Sequence, residues 1–515
     1  MLFNSYEFIF LFLPVTLLVF TALMASDKST LATIWLVISS LFFYGWWAPS
    51  YLLLLMISIG FNFGLGRFLA TSQDRNRKTL LLIGLTFNLG LLAYYKYANF
   101  LAENVNQMFG TSLEFGSIIL PLAISFFTFQ QIAYLVDTYR GEATEPKFLQ
   151  YCLFITFFPQ LIAGPIVHHK EMMPQFLLRG RQLIRNSSLV IGLTIFFIGL
   201  FKKIIIADQV AVYSTPVFDA AASGTILTFF EAWGAVVAYT LQLYFDFSGY
   251  SDMAVGIARM FGIRLPVNFF SPYKAVNIID FWRRWHITLS RFLRDYLYIP
   301  LGGNRKGNSR RYANLVITML LGGLWHGAGW NFVLWGGLHG FYLLVNHVWL
   351  GFKQRLGFSP TGGNEWPGRI LTFLAVAIAW VPFRASDMSV TVAFYEAMLG
   401  LNGFVLPEAA QVNLGFLAQY LHGLGWEFRE TPYLWRLNEL TVLILIMGIV
   451  WFAPNTLQLM RRYRPALIRS DLLSLMKQGR IVWRPTATWS LAVSTLAVWA
   501  ILNMGTLSEF LYFQF

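Results

Sequence analysis

One imidazole set among glycines and tryptophans is where this sequence most clearly offers chemistry. His326 stands in Leu320-Leu321-Gly322-Gly323-Leu324-Trp325-His326-Gly327-Ala328-Gly329-Trp330, about thirteen residues into an apolar run that starts near Ala313, or roughly 20 Å at the helical rise. At that depth the ring lies well inside the hydrocarbon of a membrane, where a titratable group is costly and is a functional candidate by default. A neutral imidazole can take a proton from an attacking hydroxyl, and the glycines let a chain or ligand pass close to it. The competing reading is a core histidine that donates to a neighbouring carbonyl.

A second imidazole, His286, lies in Asp280-Phe281-Trp282-Arg283-Arg284-Trp285-His286-Ile287-Thr288-Leu289-Ser290. Arg283 and Arg284, with Arg305 further along, suit the phosphates of a carrier, because a guanidinium offers a planar fork of donors. The alternative is an interfacial helix anchored on lipid headgroups. Asp280, Trp285 and Trp325 flank the two histidines and are assigned supporting roles. Asp246 and Asp252 stand at a span end and are expected to pair with Arg283 or Arg284, since a lone buried charge is expensive. They shape the site and do not react. His168 and His169 read as interface residues. His339, His347 and His422 have no polar company and read as structural. No metal set, Ser-His-Asp arrangement, phosphate-binding glycine loop or dinucleotide fingerprint is present. The lone cysteine, Cys152, reads as a small core residue.

The elements that must position these groups are membrane spans. The 515 residues are 57% hydrophobic and 12% charged, against roughly 25% charged in soluble proteins. Aromatics reach 17%, which suits rings at headgroup level. The expected class is an all-α polytopic membrane protein forming one domain over residues 1–515, with its motif core at about 240–350 and a tail at 506–515. Spans of about twenty apolar residues are expected at 8–25, 32–49, 51–70, 79–101, 117–135, 188–206, 227–247, 313–332, 333–350, 370–384, 441–458 and 486–505. Stretches 149–169 and 264–300 are apolar but broken by Pro, Gly and charge, and read as re-entrant or in-plane. No Lys or Arg precedes the first run, so it reads as a retained span and not a signal peptide.

Net charge is +13, concentrated in short loops. Arg67, Arg75, Arg77 and Lys78 mark one; Lys170, Arg179, Arg181 and Arg185 another; 283–311 holds eight basic residues against Asp295; 461–484 holds seven against Asp471. These loops are expected in the cytoplasm, which places both termini outside. Anionic lipid and an anionic donor are the partners expected of that charge, and nucleic acid is not. Lys202 and Lys203 sit near the outer end of their span, where either they face an internal water-filled cavity or the boundary is misplaced. The 207–226 stretch reads as an outer loop, and 385–440 as a long outer loop with a short surface helix. A transporter is the competing class, but its usual inverted repeats are absent from this sequence.

Long co-linear stretches carry a resemblance. Met1-Leu2-Phe3-Asn4-Ser5, Ser125-Phe126-Phe127-Thr128-Phe129-Gln130-Gln131, Phe158-Pro159-Gln160-Leu161-Ile162-Ala163-Gly164-Pro165-Ile166, Phe201-Lys202-Lys203, the Asp246 segment, Asp280–Ser290 and Gly322–Gly329 together resemble the membrane-bound O-acyltransferases, in the bacterial branch that O-acetylates alginate. The resemblance covers nearly the whole chain. It implies about twelve spans around a central tunnel, with His326 as the catalytic residue and His286 as the second polar position of the active site. It implies acetyl-CoA as cytoplasmic donor substrate with no cofactor, a bacterial inner-membrane location, and a periplasmic or extracellular acetyltransferase partner that completes transfer to a polysaccharide such as alginate. D-alanyl or other acyl transfer to teichoic acid, peptidoglycan or cellulose is the alternative within the family. The ending Tyr512-Phe513-Gln514-Phe515 resembles a Tyr-x-x-Phe ending of this group, which makes Tyr512 a candidate acyl relay; read without the family it is an aromatic belt.

Overall fold

The computed structural model describes residues 1–47, 49–145, 147–177, 186–357, 364–431, 433, 437–476, 481–505 and 510–511, and these are almost entirely helical. Tyr512 lies outside them, as do Arg179, Arg181, Arg185, Lys477 and Arg480. The described strands are Val405–Leu406 and Glu427–Phe428, paired in parallel beside a set of short helices that includes Met388–Met398, Glu408–Leu414 and Phe416–Gly423.

Each expected span falls on a helix. Phe8–Ala25, Pro49–Thr71, Asn76–Phe109, Ser187–Ala222 and Trp366–Arg384 are long and apolar enough to cross a bilayer, and Ser29–Gly45, Glu439–Phe452 and Ala487–Leu502 are shorter and apolar. Ile124–Tyr139 and Phe229–Met260 are different in kind, because they are buried along nearly their whole length and carry polar residues into the interior. Gly307–His326 and Trp330–Arg355 carry basic residues at one end. The two in-plane stretches resolve into short helices, Phe148–Thr156, Phe158–Leu161 and His169–Phe176 in one, Ile278–Arg284 and Ile287–Leu293 in the other.

Several boundaries differ from the sequence reading: the 227–247 span runs on to Met260, the 313–332 span ends at His326 and the 441–458 span ends at Phe452. The 117–135 span becomes helical only at Ile124, just after Pro121, which cannot donate to a helical ladder. The 188–206 span continues through a π turn, Lys202–Ala207, into Asp208–Ala222, so 207–226 is mostly helix and not an outer loop. Asp208 looked like a loop residue in sequence but is an ion-pair partner of buried Lys203, at 2.9 Å.

The geometry that serves the site is a helical hairpin. Gly307–His326 rises from the basic end and Trp330–Arg355 returns to it, with Arg311 Nη2 2.9 Å from the His347 ring near that end. The two helices touch backbone to backbone at glycines: a Cβ on Gly323 would lie 2.2 Å from the Phe332 carbonyl, and one on Gly336 2.3 Å from that of Met319. Only glycine permits that approach, which sets the end of the first helix, and hence His326, against the second.

Candidate active site

His326 is the last residue of its helix, where carbonyls lack intrahelical partners. A lysine supplies them. Lys96, in the π turn Ala93–Tyr97, donates from Nζ to the carbonyls of Trp325 at 2.6 Å and His326 at 3.1 Å, and contacts Ser125 Oγ at 3.4 Å. The adjacent Tyr97 hydroxyl donates to the Leu324 carbonyl at 2.7 Å. A cation at the negative end of the helix dipole is favourable in its own right. The His326 ring is 4% exposed, packed edge-on against Trp325 at 4.8 Å, Trp335 at 4.9 Å and Phe383 at 5.1 Å.

His286 joins the two short helices in the left-handed region, φ 40° and ψ 53°. A non-glycine there is strained, and its surroundings hold it. The Ile287 N–H donates to the Asn268 carbonyl at 2.9 Å, and the Phe270 N–H donates to that of Arg284 at 2.9 Å. Asn268 Oδ1 accepts from Thr288 Oγ1 at 2.9 Å and lies 3.1 Å from His286 Nδ1. Because its amide NH₂ faces Ser251 Oγ at 3.4 Å, Oδ1 is the acceptor, which assigns the imidazole proton to Nδ1 and leaves Nε2 as the basic atom.

Trp325 links the two histidines. Its ring lies 6.3 Å from that of His286 and 4.8 Å from that of His326, and it stacks on Phe129 at 5.1 Å. The two histidines singled out in sequence therefore meet across one indole. Phe247, beside Asp246, packs edge-on to His286 at 4.9 Å. Trp285 supports from behind, against Trp380 at 5.0 Å and Phe269 at 5.0 Å.

On the basic side, a cleft of about 150 Å³ is lined by Thr288, Val267, Leu467, Glu171, Arg291 and Arg469. Of its lining residues, Thr288 is one hydrogen bond from Asn268 and two from His286. Arg291 forks onto Glu171 at 2.6 and 2.8 Å and donates from Nε to His168 Nε2 at 2.9 Å. His168 Nδ1 meets the Tyr296 hydroxyl at 3.0 Å, which donates to Asp137 at 2.8 Å. His168 and His169 are thus buried in the protein and not interface residues. Arg284 is held by Asp280 at 2.8 Å, and Arg283 and Arg305 are exposed.

The acids correct another expectation. Asp246 pairs with Lys203 at 2.6 Å and Asp252 with Lys202 at 2.6 Å, not with Arg283 or Arg284. The extended helix through 202–207 brings the lysines inward, so no arginine is needed to neutralise these carboxylates. The C-terminal tail docks at the same place: Phe510 is buried, edge-on to Tyr250 at 4.5 Å and 4.9 Å from Lys203 Nζ, and the Leu511 N–H donates to Asp246 Oδ2 at 3.2 Å.

Lys96 and Asn268 escaped the sequence reading. Lys96 had a signal, a single cation within Leu91-Leu92-Ala93-Tyr94-Tyr95-Lys96-Tyr97-Ala98. Asn268 had none, because its role depends on a contact with a residue eighteen positions away.

Residues 138–379 match the model of the membrane-bound O-acyltransferase family, a stretch that contains both histidines. The chain is 47% identical over 444 residues to a peptidoglycan O-acetyltransferase of Helicobacter pylori, covering 81% of this chain and 83% of that protein. It is 40% identical over 422 residues to "Probable alginate O-acetylase AlgI" of Pseudomonas aeruginosa, covering 80% and 78%. A teichoic acid D-alanyltransferase of Bacillus subtilis is 28% identical over 273 residues, covering 51% and 67%.

Proposed function

The chain belongs to the membrane-bound O-acyltransferase family and is a multi-pass membrane acyltransferase, and from that premise we propose that it passes an acetyl group from cytoplasmic acetyl-CoA to a polysaccharide outside a bacterial inner membrane. The observation that carries this reading is the meeting of His326 and His286 across Trp325.

In this reading Arg283, Arg284 and Arg305 hold the donor's phosphates at the basic face, and the thioester reaches inward to His326. The imidazole removes the proton of an acceptor hydroxyl, and the oxygen attacks the thioester carbonyl. The C–S bond breaks, and the thiolate leaves with the proton the imidazole had taken. General-base catalysis of this kind contributes typically about 10²–10⁴-fold. His286, its tautomer fixed by Asn268, is the second polar group of the site. Lys96 and Tyr97 hold His326 in place and do not touch the reacting atoms.

The immediate acceptor is Tyr512 or a serine of an extracellular partner transferase. Docking of Phe510 and Leu511 at Lys203 and Asp246 supports a tail that enters the protein. The final acceptor is a glycan, since the relatives at 47% and 40% identity are a peptidoglycan O-acetyltransferase and an alginate O-acetylase. Both termini lie outside the cytoplasm in this arrangement.

Sealed vesicles test the reading. Radiolabelled acetyl-CoA supplied only at the face carrying the basic loops, with peptidoglycan or alginate oligosaccharide and the partner at the other, should label the glycan. Label transfer only when donor and acceptor share a face would contradict it. Tyr512→Phe keeps the ring and removes the hydroxyl, so undiminished transfer would dispose of the relay.

A further inference from the structure

Lys202 and Lys203 are adjacent cations set into an apolar span, and each takes an acid of Phe229–Met260. The two pairs are completed differently. Lys202 and Asp252 close on Thr456, whose Oγ1 donates to Asp252 Oδ2 at 2.6 Å and accepts from Lys202 Nζ at 2.9 Å, so the body of the fold finishes that pair. Lys203 lies 2.6 Å from Asp246 Oδ1 and 2.9 Å from Asp208 Oδ1, and the other oxygen of Asp246 accepts from the Leu511 N–H at 3.2 Å. The Phe510 ring lies 4.9 Å from the same ammonium. A carboxylate buried as deeply as Asp246 needs both oxygens served, and a bond to a charged acceptor is about twice as strong as a neutral one. The tail is therefore held at a charged seat and not by apolar contact alone.

The seat adjoins the histidines. Asp246 and Tyr250, which touch Leu511 and Phe510, are four residues apart and share one face of Phe229–Met260. Phe247 and Ser251, one position on, share the next face and serve His286: Phe247 is edge-on to its ring at 4.9 Å, and Ser251 Oγ faces the Asn268 amide at 3.4 Å. A second tie runs through 163–166. The Ala163 N–H donates to the Tyr250 hydroxyl at 3.4 Å, and the Ile166 N–H donates to Thr288 Oγ1 at 3.0 Å, two residues after His286.

We propose that Lys203 and Asp246 are positioning residues for the transfer, seating the tail so that Tyr512, bonded directly to Leu511, is presented to the two histidines. This rests on the reading that Tyr512 is the immediate acceptor. Lys203 holds the Asp246 charge in place, and Asp246 fixes the backbone one residue before the relay hydroxyl. Neither touches the reacting atoms. A shift of about 1 Å at such a group can cost about 10²-fold, which gives the seat its leverage.

The test uses the full-length protein and acetyl-CoA. Leu511→Pro removes the N–H that Asp246 accepts, and Leu511→Ala keeps it. Relative to Leu511→Ala, Leu511→Pro should lower kcat about tenfold, the loss of one charge-assisted hydrogen bond, with KM for acetyl-CoA unchanged. A second readout follows the tail itself. Cys152 is the one cysteine and is buried, so Gln514→Cys adds a single reactive thiol. Its labelling by a maleimide should be about tenfold faster in Leu511→Pro than in Leu511→Ala, and faster in Asp246→Asn too, which keeps an acceptor and gives up the charge. Equal kcat in the two Leu511 variants overturns the proposal, as does equal labelling or a loss expressed in KM. Failure of the underlying reading looks different: Tyr512→Phe would transfer at the wild-type rate.

Discussion

Replacing Lys96 with methionine removes the cap that holds the end of the His326 helix while keeping the length of the side chain. Lys96 Nζ donates to two carbonyls, those of Trp325 at 2.6 Å and His326 at 3.1 Å. Hydrogen bonds from a charged group are worth about 1.5–3 kcal/mol each, so the gross gain is about 3–6 kcal/mol. Burying the ammonium costs several kcal/mol, and the net contribution of the lysine to stability is therefore small. Truncation is not small. It leaves two carbonyls without their donor, at about 1–3 kcal/mol each, and that cost falls on the residue carrying the reactive ring. The helix end should loosen while the rest of the fold remains. Misplacement of a catalytic group by about 1 Å can cost about 10²-fold, so Lys96→Met is expected to lower acetyl transfer by about 10–10² with a thermal midpoint within a few degrees of wild type. The assay is initial-rate transfer by detergent-purified protein alongside a melting curve. Wild-type transfer in this variant would refute the claim that the cap positions His326, and a collapsed melting curve would show that Lys96 supports the whole fold instead.

Two other perturbations follow the same logic. Asn268→Leu removes the acceptor for His286 Nδ1 and Thr288 Oγ1, at 3.1 and 2.9 Å, and should slow transfer about tenfold or more, with helical content by circular dichroism unchanged. Burial pushes the Glu171 carboxyl up, but the Arg291 fork outweighs burial and holds it below its ordinary 4.5. A depressed carboxylate stabilises the fold above that ordinary value and ceases to as pH falls through its folded value, so the wild-type protein should lose stability as the pH is taken down through and below 4.5, and Arg291→Met should lose less. Melting curves across that pH range check this, and equal acid sensitivity in the two proteins would count against the pair.

The spans were legible because the hydrocarbon demands about twenty apolar residues, and a chain that meets the demand repeatedly announces it. The two site histidines were legible for the complementary reason, since a titratable group stands out where everything around it is apolar. What the sequence hid was pairing. Asp246 and Asp252 needed cations, but which cations depended on whether the helix at 202–207 stopped or continued, and its polar residues mimicked a loop. His168 and His169 looked like headgroup contacts beside Lys170, whereas a chain of hydrogen bonds through Arg291, Tyr296 and Asp137 buries the first and Glu145, at 3.6 Å, faces the second. Asn268 and the meeting of His286 with Trp325 depend on long-range contacts that no local pattern encodes.

The central claim is that the imidazole at 326 is the base of the transfer, and His326→Ala measured in the purified protein tests it most directly. The account predicts acetyl transfer from acetyl-CoA reduced by at least about 10²-fold with the melting curve and membrane insertion of the wild type. Transfer at the wild-type rate by a folded His326→Ala protein would contradict it.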